Sequence, residues 1–157
     1  MIPPCVTLTI VGSSFKLWAL LLALAMLATG CDGVEPGNPN FTSKNGVRYY
    51  DRASTELAVV SASDQEAQLL EIYADGKGCI GQAWVELTGH RLWNGTAYVD
   101  GLQQGVHLQI HAFPSPLAPS SWMLRHELLH HLKECNEGNA DPNHTGPEWI
   151  YVGGVAR

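Results

Sequence analysis

The sequence has few basic residues and, outside one segment near its start, no long apolar run. Its 157 residues include 9 Lys and Arg against 15 Asp and Glu, a formal net charge of −6. A general nucleic-acid-binding protein needs a basic face to neutralise phosphates, so this balance argues against nucleic acid as a partner. The apolar run over residues 17–28 is shorter than the roughly 20 residues that a membrane-spanning helix needs. No internal repeat is visible, and the length is typical of one domain.

Residues 1–30 have the pattern of an export signal. Lys16 precedes the run LWALLLALAMLA, and small residues follow it. A short apolar core behind a positive residue is typical of secretory signals. The run LATGC, residues 27–31, resembles the lipobox of bacterial lipoproteins, in which the signal is removed and the cysteine is acylated. This resemblance implies a protein of the bacterial cell envelope that is exported and anchored to a membrane by lipid on Cys31. An ordinary secretion signal that is cut nearby is the alternative.

The remaining chain divides into a short linker and one domain. Residues 31–46 are rich in Gly, Pro and Asn, which predicts a flexible tether. Residues 47–157 mix helical and strand patterns, so we expect one small α+β domain. Its sheet is predicted to be short, mixed or antiparallel, and packed on a helix.

Apolar spacing places the elements of this domain. A period near 3.6 predicts helices over residues 54–75 and 120–134. Alternation of apolar and polar residues predicts strands over residues 82–87 and 106–112. Residues 92–99 are predicted to form a hairpin, because they contain Asn-Gly, a favoured turn pair.

One motif on the second predicted helix carries the chemistry. Residues 126–130 read HELLH, and residues four apart on a helix lie on the same face, so His126 and His130 can bind one metal ion. Glu127 lies one residue further round, where it can take a proton from water activated by that metal. The pattern resembles HExxH zinc metallopeptidases, the zincins. The resemblance implies a zincin-like domain, Zn²⁺ as cofactor, and a peptide or protein as substrate.

The third metal ligand is open among three residues beyond this helix. His144 is favoured, because zinc prefers imidazole and a turn after Gly138 can bring the following loop back to the metal. Asp141 and Glu148 are the alternatives, since some zincins use a carboxylate as third ligand. Metzincins place a third histidine six residues after the second, where this chain has Asn136, so that family is excluded.

Residues 125–149 also resemble SprT-like zinc proteases. These proteases place a third histidine about this far beyond HExxH, followed by Gly, Pro and an aromatic residue. Here the run is HTGPEW, with Thr145 as an extra residue after the histidine. The resemblance implies the following metal ligands and catalytic base: His126, His130, His144 and Glu127. The DNA-linked role of that family is not carried over, because this chain is acidic and has an export signal.

Zincins also suggest roles for a strand and its histidines. Their active-site helix lies beside an edge strand that holds the substrate backbone, and the candidate for that strand is the one predicted over residues 106–112. His107 and His111 share one face of it. Polar alternation alone explains them as a solvated face, and lining of the site is the alternative.

Three other residues near the motif receive minor assignments. Tyr151 is a candidate for stabilising an oxyanion, a group that such sites need. Asp141, if it is not a ligand, is expected to orient a ligating histidine. His131 adjoins His130 on the helix, so it points away from the metal and is expected in the surroundings of the site or on the surface.

The chain has four cysteines. One lies within the signal, and if Cys31 carries lipid, two remain. An even remainder in an exported chain predicts a disulfide between Cys79 and Cys135. That bridge would join the segment after the first helix to the end of the motif helix.

A second function stays open on the sequence alone, namely a non-catalytic zinc-binding lipoprotein of the envelope. Catalytic zinc sites keep one coordination position open, whereas structural sites close it. Residue spacing does not separate the two.

Overall fold

The computed structural model describes residues 34–53, 62–112 and 120–153 of the chain. Within these ranges the elements are β1 (Phe41–Thr42), β2 (Arg48–Asp51), α1 (Ala62–Ile72), β3 (Trp84–Thr88), β4 (Leu92–Trp93), β5 (Tyr98–Val99), β6 (Gly101–Gln104), β7 (His107–His111), α2 (Ser120–Glu137) and α3 (Trp149–Val152). Two 3₁₀ helices, Ala74–Gly78 and Ile80–Gln82, follow α1. In these ranges no helix combines the length and the apolar character needed to cross a bilayer.

Five of the described strands form one mixed sheet, and the predicted α+β class is therefore confirmed. The strand order is β1-β2-β3-β7-β6. The three central strands are parallel, and the strands at the two edges are antiparallel to their neighbours. β4 and β5 pair separately as the hairpin predicted over residues 92–99. Its turn has four residues instead of the expected two, because the Asn94 side chain accepts hydrogen bonds from the Thr96 and Ala97 amides.

One face of the sheet carries the core. Side chains alternate along a strand, so Val85 and Leu87 of β3 lie on the same side as Leu108 and Ile110 of β7, and all four are buried in one apolar cluster. The strands predicted over residues 82–87 and 106–112 are present as β3 and β7. This face is the one that α1 and α2 cover.

Helix α2 packs its leucines into the same cluster. Leu124, Leu128 and Leu132 are buried there, and each such side chain contributes about 1.5–3 kcal/mol relative to an exposed one. The helix runs three residues past the predicted end at 134. It ends at Gly138, which has a φ of 69° and donates its amide to the Glu134 carbonyl. Of the helix predicted over residues 54–75, α1 confirms 62–72, and residues 54–61 lie outside the described ranges.

A disulfide fastens α2 to the segment that follows α1. Cys79 and Cys135 are bonded, with their Cα atoms 6.1 Å apart and a sequence separation of 56. The predicted bridge is therefore confirmed. Closing a loop of this length in the unfolded chain contributes about 4 kcal/mol to stability on the chain-entropy model.

The other face of the sheet meets the segment that precedes β2. The Glu35 carboxylate accepts a hydrogen bond of 2.7 Å from the Tyr50 hydroxyl and pairs with the Arg48 guanidinium. β1 then adds to the sheet from Phe41. The sheet thus begins inside the segment predicted as a flexible tether, because these specific contacts hold residues whose composition alone resembles a linker.

Candidate metal centre

Helix α2 brings His126, Glu127 and His130 to one side of the domain. The rings of the two histidines lie 4.9 Å apart between centroids and are nearly perpendicular. The one-turn spacing accounts for this, since residues i and i+4 stack along a helix face. Both rings are only half-buried, so the site is open to ligands.

The loop after α2 carries His144 back to this pair. Nε2 of His144 lies 3.2 Å from Nε2 of His130, and one ligand nitrogen from each of His126, His130 and His144 lies within 4.8 Å of the others. Among the described residues, this is the one group of three or more His, Cys, Asp or Glu side chains close enough to hold a metal ion.

The distance between two of these nitrogens fits a tetrahedral zinc ion. Two nitrogens bound to one zinc ion at about 2.0–2.1 Å lie roughly 3.3–3.4 Å apart. The 3.2 Å between the His130 and His144 nitrogens is close to that value. His130 presents Nε2 because its Nδ1 donates a hydrogen bond of 2.6 Å to the Ala140 carbonyl, an arrangement that orients many metal-binding imidazoles.

The loop that positions His144 has an unusual backbone, which Asp141 stabilises. Asp141 and His144 have φ values of 51° and 54°, in the left-handed region that non-glycine residues adopt rarely. The Asp141 carboxylate accepts hydrogen bonds from the Thr145 amide and hydroxyl and from the Gly146 amide, all between 2.9 and 3.0 Å. Burial raises the pKa of Asp141, but these hydrogen bonds outweigh it and hold the pKa well below its usual range.

Trp149 packs against all three histidine rings. The indole is fully buried, and its centroid lies 5.1 Å from His126, 4.4 Å from His130 and 4.3 Å from His144. Its Nε1 donates a 2.7 Å hydrogen bond to Asp141. Trp149 therefore supports the cluster from behind. The resemblance noted an aromatic residue here, but this packing role was not predicted.

The two carboxylates considered as alternative third ligands lie elsewhere. Asp141 directs its oxygens to Thr145, Gly146 and Trp149, so it orients the indole and the loop instead of a histidine. The backbone carbonyl of Ala140 takes the orienting role on His130. Glu148 pairs with the buried Lys133 amine.

The environment favours neutral imidazoles, which are the form that binds metals. Burial lowers the pKa of His126, the neighbouring His130 and His144 lower it further, and it reaches about 3. Burial also lowers the pKa of His130, and the Ala140 carbonyl opposes that shift only in part. A backbone hydrogen bond to Val152 opposes the lowering of the His126 pKa only in part.

Glu127 is the buried carboxylate beside this cluster. Burial raises its pKa to about 8. The side chain lies against Gly101 of β6, where an added Cβ would stand 2.4 Å from Oε1 of Glu127 and 2.7 Å from Sδ of Met123. Gly101 thus leaves the space that the carboxylate occupies. It was not singled out from the sequence, because Asp-Gly reads as an ordinary turn.

The strand beside the motif helix is β6, so the expectation that residues 106–112 form it was wrong. β7 lies between β3 and β6 inside the sheet, and β6 is the edge. Three residues of α2, spaced i, i+4 and i+7, hold β6 against the helix: Glu127 at Gly101, His131 at the Gly105 carbonyl, and Glu134 at the Gln103 amide. Alternation identifies a strand but carries no information on its place in the sheet order.

The two histidines of β7 do not line this site, so the alternative interpretation of them as site-lining residues is wrong. His107 and His111 lie on the sheet face opposite Leu108 and Ile110 of β7, away from α2. His107 is buried and stacks on Trp84 at 3.7 Å between centroids, so a solvated face does not describe it either. His111 is bonded to Asp100 at 3.1 Å.

Tyr151 and His131 also differ from expectation. Tyr151 is 65% exposed and lines a separate cavity with Glu71 and Pro147, so it is not placed to stabilise an oxyanion beside Glu127. His131 is buried, and its ring nitrogens lie 3.1 Å from the Gly105 carbonyl and 3.2 Å from the Cys79 carbonyl. It points away from the cluster as predicted, and it supports the turn between β6 and β7.

A cleft made of two cavities opens along β6. The first, which we call the Asn94 cavity, has about 340 Å³ and is lined by Asn94, Gly101, Leu102, Gln103, His126, Glu127, His130, Ala140 and Pro142. The second, the Arg91 cavity, has about 310 Å³ and is lined by Arg91, Tyr98, Val99, Asp100, Gly101, Met123, His126 and Glu127. The two cavities share Gly101, His126 and Glu127, so the carboxylate lies at their junction.

The residues of this site can hold a metal ion beside a carboxylate in an open cleft, and that is the chemistry the arrangement offers. Comparisons with models of protein families, with curated proteins and with solved structures find no match to the chain.

Proposed function

We propose that this chain is a zinc-dependent metallopeptidase of the HExxH type, with a zincin-like domain. The observation that carries the proposal is the convergence of three imidazoles within 4.8 Å, next to the buried carboxylate of Glu127 at the junction of an open cleft. His126, His130 and His144 would hold the ion. Three protein ligands leave a position free, as catalytic zinc sites require.

Zinc bound there supplies a Lewis acid that acidifies water and polarises the scissile carbonyl. Glu127 is the residue placed to accept the proton from the attacking water and to deliver it to the leaving amine. In the metal-free protein burial raises the pKa of its carboxyl to about 8, and a cation bound beside it would favour the carboxylate, the form that accepts a proton.

The edge strand β6 is the element that would align a peptide. It runs beside α2 and has a neighbouring strand, β7, on one side only among the described strands. An exposed edge can take up an extended peptide through main-chain hydrogen bonds. The scissile bond would then lie near Gly101, where the two cavities meet next to Glu127.

The N-terminal pattern supplies the proposed location. We place the enzyme in the bacterial cell envelope, held to a membrane by lipid on Cys31 after removal of residues 1–30. The support is the lipobox-like run LATGC behind a short apolar segment. The observed disulfide between Cys79 and Cys135 agrees with an oxidising compartment.

The test of the catalytic proposal is the Glu127→Gln variant of the zinc-loaded protein. We expect it to keep its zinc and to lose about 10²–10⁴-fold in kcat on a peptide that the wild type cleaves, since a general base contributes that much. Metal content by elemental analysis and turnover of a quenched-fluorescent peptide library measure the two properties. Glu71→Gln, an exposed change on α1, is the matched control and should keep full activity.

Two outcomes would contradict the proposal. Undiminished cleavage by Glu127→Gln would remove the carboxylate from the mechanism. Zinc bound at one equivalent by a wild-type protein that cleaves no peptide would favour the other function considered, a zinc-binding lipoprotein without catalysis.

A further inference from the structure

Arg91 is a cation in a cleft of an otherwise acidic chain. Among the described residues it is the one Lys or Arg that lines either the Asn94 cavity or the Arg91 cavity. The chain as a whole carries a formal charge of −6. Arg91 pairs with Asp100, which lines the same cavity, and it lies in the cleft that holds the proposed catalytic carboxylate.

The guanidinium is held in place from one side. Its Nε donates a 2.9 Å hydrogen bond to Oδ1 of Asp100, and its Nη2 donates one of 2.9 Å to the Tyr98 carbonyl. Asp100 is itself bonded to His111, at 3.1 Å between Oδ1 and Nδ1. The position of the charge is therefore set before a ligand arrives, which reduces the entropy that binding costs.

The other side of the guanidinium has donors to spare. A guanidinium has five N–H groups, and Nη1 has no hydrogen-bond partner within the described ranges. The side chain is 52% exposed. Planar N–H pairs on arginine match the two oxygens of a carboxylate.

The position of Arg91 relates this donor to the reacting centre. The Arg91 cavity shares Gly101, His126 and Glu127 with the Asn94 cavity. Its volume of about 310 Å³ is at the small end for ligand sites, so it takes only a short part of a peptide. A carboxylate on Arg91 would therefore belong to a residue close to the scissile bond.

We infer that Arg91 binds a substrate carboxylate in the Arg91 cavity, so that the enzyme prefers peptides with a carboxylate close to the scissile bond. The carboxylate is either the free C-terminus or an acidic side chain. This inference rests on the proposed peptidase function. Tyr98, Val99 and Met123, which line the same cavity, would contact the rest of the residue that carries the carboxylate.

Four quenched-fluorescent peptides of one sequence test the inference on the zinc-loaded protein. In the first pair, one peptide has a free C-terminal carboxylate and the other has a C-terminal carboxamide. The other pair has a blocked C-terminus and differs in Glu against Gln next to the scissile bond. We expect kcat/KM to favour the carboxylate member of one pair by about ten- to a hundredfold, as for hydrogen bonds to charged groups. The pair that responds identifies the source of the carboxylate.

The variants separate substrate binding from a purely structural role. Arg91→Gln should reduce the preference to within about threefold, and Arg91→Lys should give an intermediate preference, because it keeps the charge but loses the planar fork. Arg52→Gln is the matched control. Arg52 directly follows β2, away from the edge strand β6, and its side chain is well exposed. It should keep the full preference. If Arg91 only fastened the hairpin to β6, its loss would slow all four peptides by the same factor.

The outcomes keep this inference distinct from the proposed function. Equal cleavage of all four peptides by the wild type, or a preference that survives Arg91→Gln, overturns the role of Arg91 and leaves the peptidase intact. If the wild type cleaves none of the four peptides, the proposed peptidase function is overturned. In that case the zinc-loaded Glu127→Gln variant is titrated with the same peptides, and dissociation constants that do not favour a carboxylate overturn the role of Arg91 as well.

Discussion

Two groups of histidines lie on opposite faces of the sheet, and their neighbours differ. On the outer face, His107 lies 3.4 Å from the Glu86 carboxylate and His111 lies 3.1 Å from Asp100. On the helix side, His126, His130 and His144 face one another and Trp149. The outer histidines each have a carboxylate as partner, whereas the inner three direct nitrogens at a common point.

The pKa values follow these neighbours. Burial lowers the pKa of His107, but Glu86 opposes that shift. Burial also lowers the pKa of His126, and there His130 and His144 add to the shift, so that it reaches about 3. Burial thus favours the neutral form of both rings, and the two differ in their surroundings: His107 lies beside one carboxylate, whereas His126 lies beside two further imidazoles that can share one metal ion. The comparison therefore gives a physical reason, beyond the HExxH pattern, for placing the metal on the helix side.

Removing one histidine from each group should affect zinc binding very differently. His126→Ala should weaken zinc binding by about a hundredfold or more, since structural zinc binds with roughly 10–16 kcal/mol and an even share among its four ligands is about 2.5–4 kcal/mol. His107→Ala should leave the zinc affinity unchanged. Competition titration with a chelator of known affinity measures both.

Thermal unfolding supplies the control for this pair. Saturating zinc should raise the Tm of the wild type and of His107→Ala but not that of His126→Ala, because a ligand stabilises only the state that binds it. Circular dichroism of each metal-free variant checks that the fold is retained. Equal loss of affinity in the two variants would refute the assignment of the metal to the helix side.

How much of this arrangement the sequence predicts depends on how local each feature is. The positions of His126, Glu127 and His130 follow from one turn of helix, and they were predicted. His144 was favoured on ligand chemistry, and its approach to His130 depends on the backbone of the loop after α2. The alternation around His107 was interpreted as a solvated face, because a sequence pattern does not reveal that Trp84 stacks on that ring.

Contacts between distant segments were outside what spacing could predict. Gly101 makes room for Glu127 across 26 residues of sequence, and Arg91 enters the cleft on a hairpin whose place depends on Asp100. The order of strands was missed for the same reason, since an internal strand and an edge strand can share one alternating pattern. The metal-binding residues and the candidate base could thus be predicted from short motifs. The shape of the cleft could not be predicted, because it depends on how distant segments pack in the fold.

A smaller effect tests the support behind the inner histidines. Asp141→Asn replaces one oxygen by an NH₂ group, which cannot accept, so donors from Thr145, Gly146 or Trp149 lose their partner. We expect zinc affinity to fall by about 10–100-fold, as for other groups that orient metal ligands. Asp75→Asn, the same change at an exposed position, should leave affinity unchanged.

The pH dependence of stability gives this prediction a second readout. Hydrogen bonds hold the pKa of Asp141 below the 3.8 of a free side chain, so its carboxylate stabilises the metal-free fold above that pH and this contribution is lost as the pH falls below it. Asp141→Asn should therefore narrow the difference in free energy of unfolding between pH 6 and strongly acidic pH. An unchanged pH profile together with unchanged affinity would show that Asp141 does not support the site.

The smallest expected effect concerns the contact between Glu127 and the edge strand. Gly101→Ala places a Cβ within 2.4 Å of Oε1 of Glu127 and 2.7 Å of its Cγ, so either the carboxylate or β6 must shift. Such a change typically costs about 1–3 kcal/mol of stability. A misplaced base lowers kcat by up to about a hundredfold. Zinc affinity should not change, because the three histidines are untouched.

Gly78→Ala is the control for this substitution, since an added Cβ at Gly78 meets no atom within 4 Å. It should keep both kcat and Tm close to the wild-type values. If Gly101→Ala keeps full activity while losing stability, then β6 tolerates the shift and the carboxylate does not need this strand for its position. If zinc affinity falls instead of kcat, then the metal and β6 are coupled. Glu127 belongs to α2 and lies against Gly101 of β6, so this variant shows whether the base is positioned by the helix alone or by the helix and the strand together.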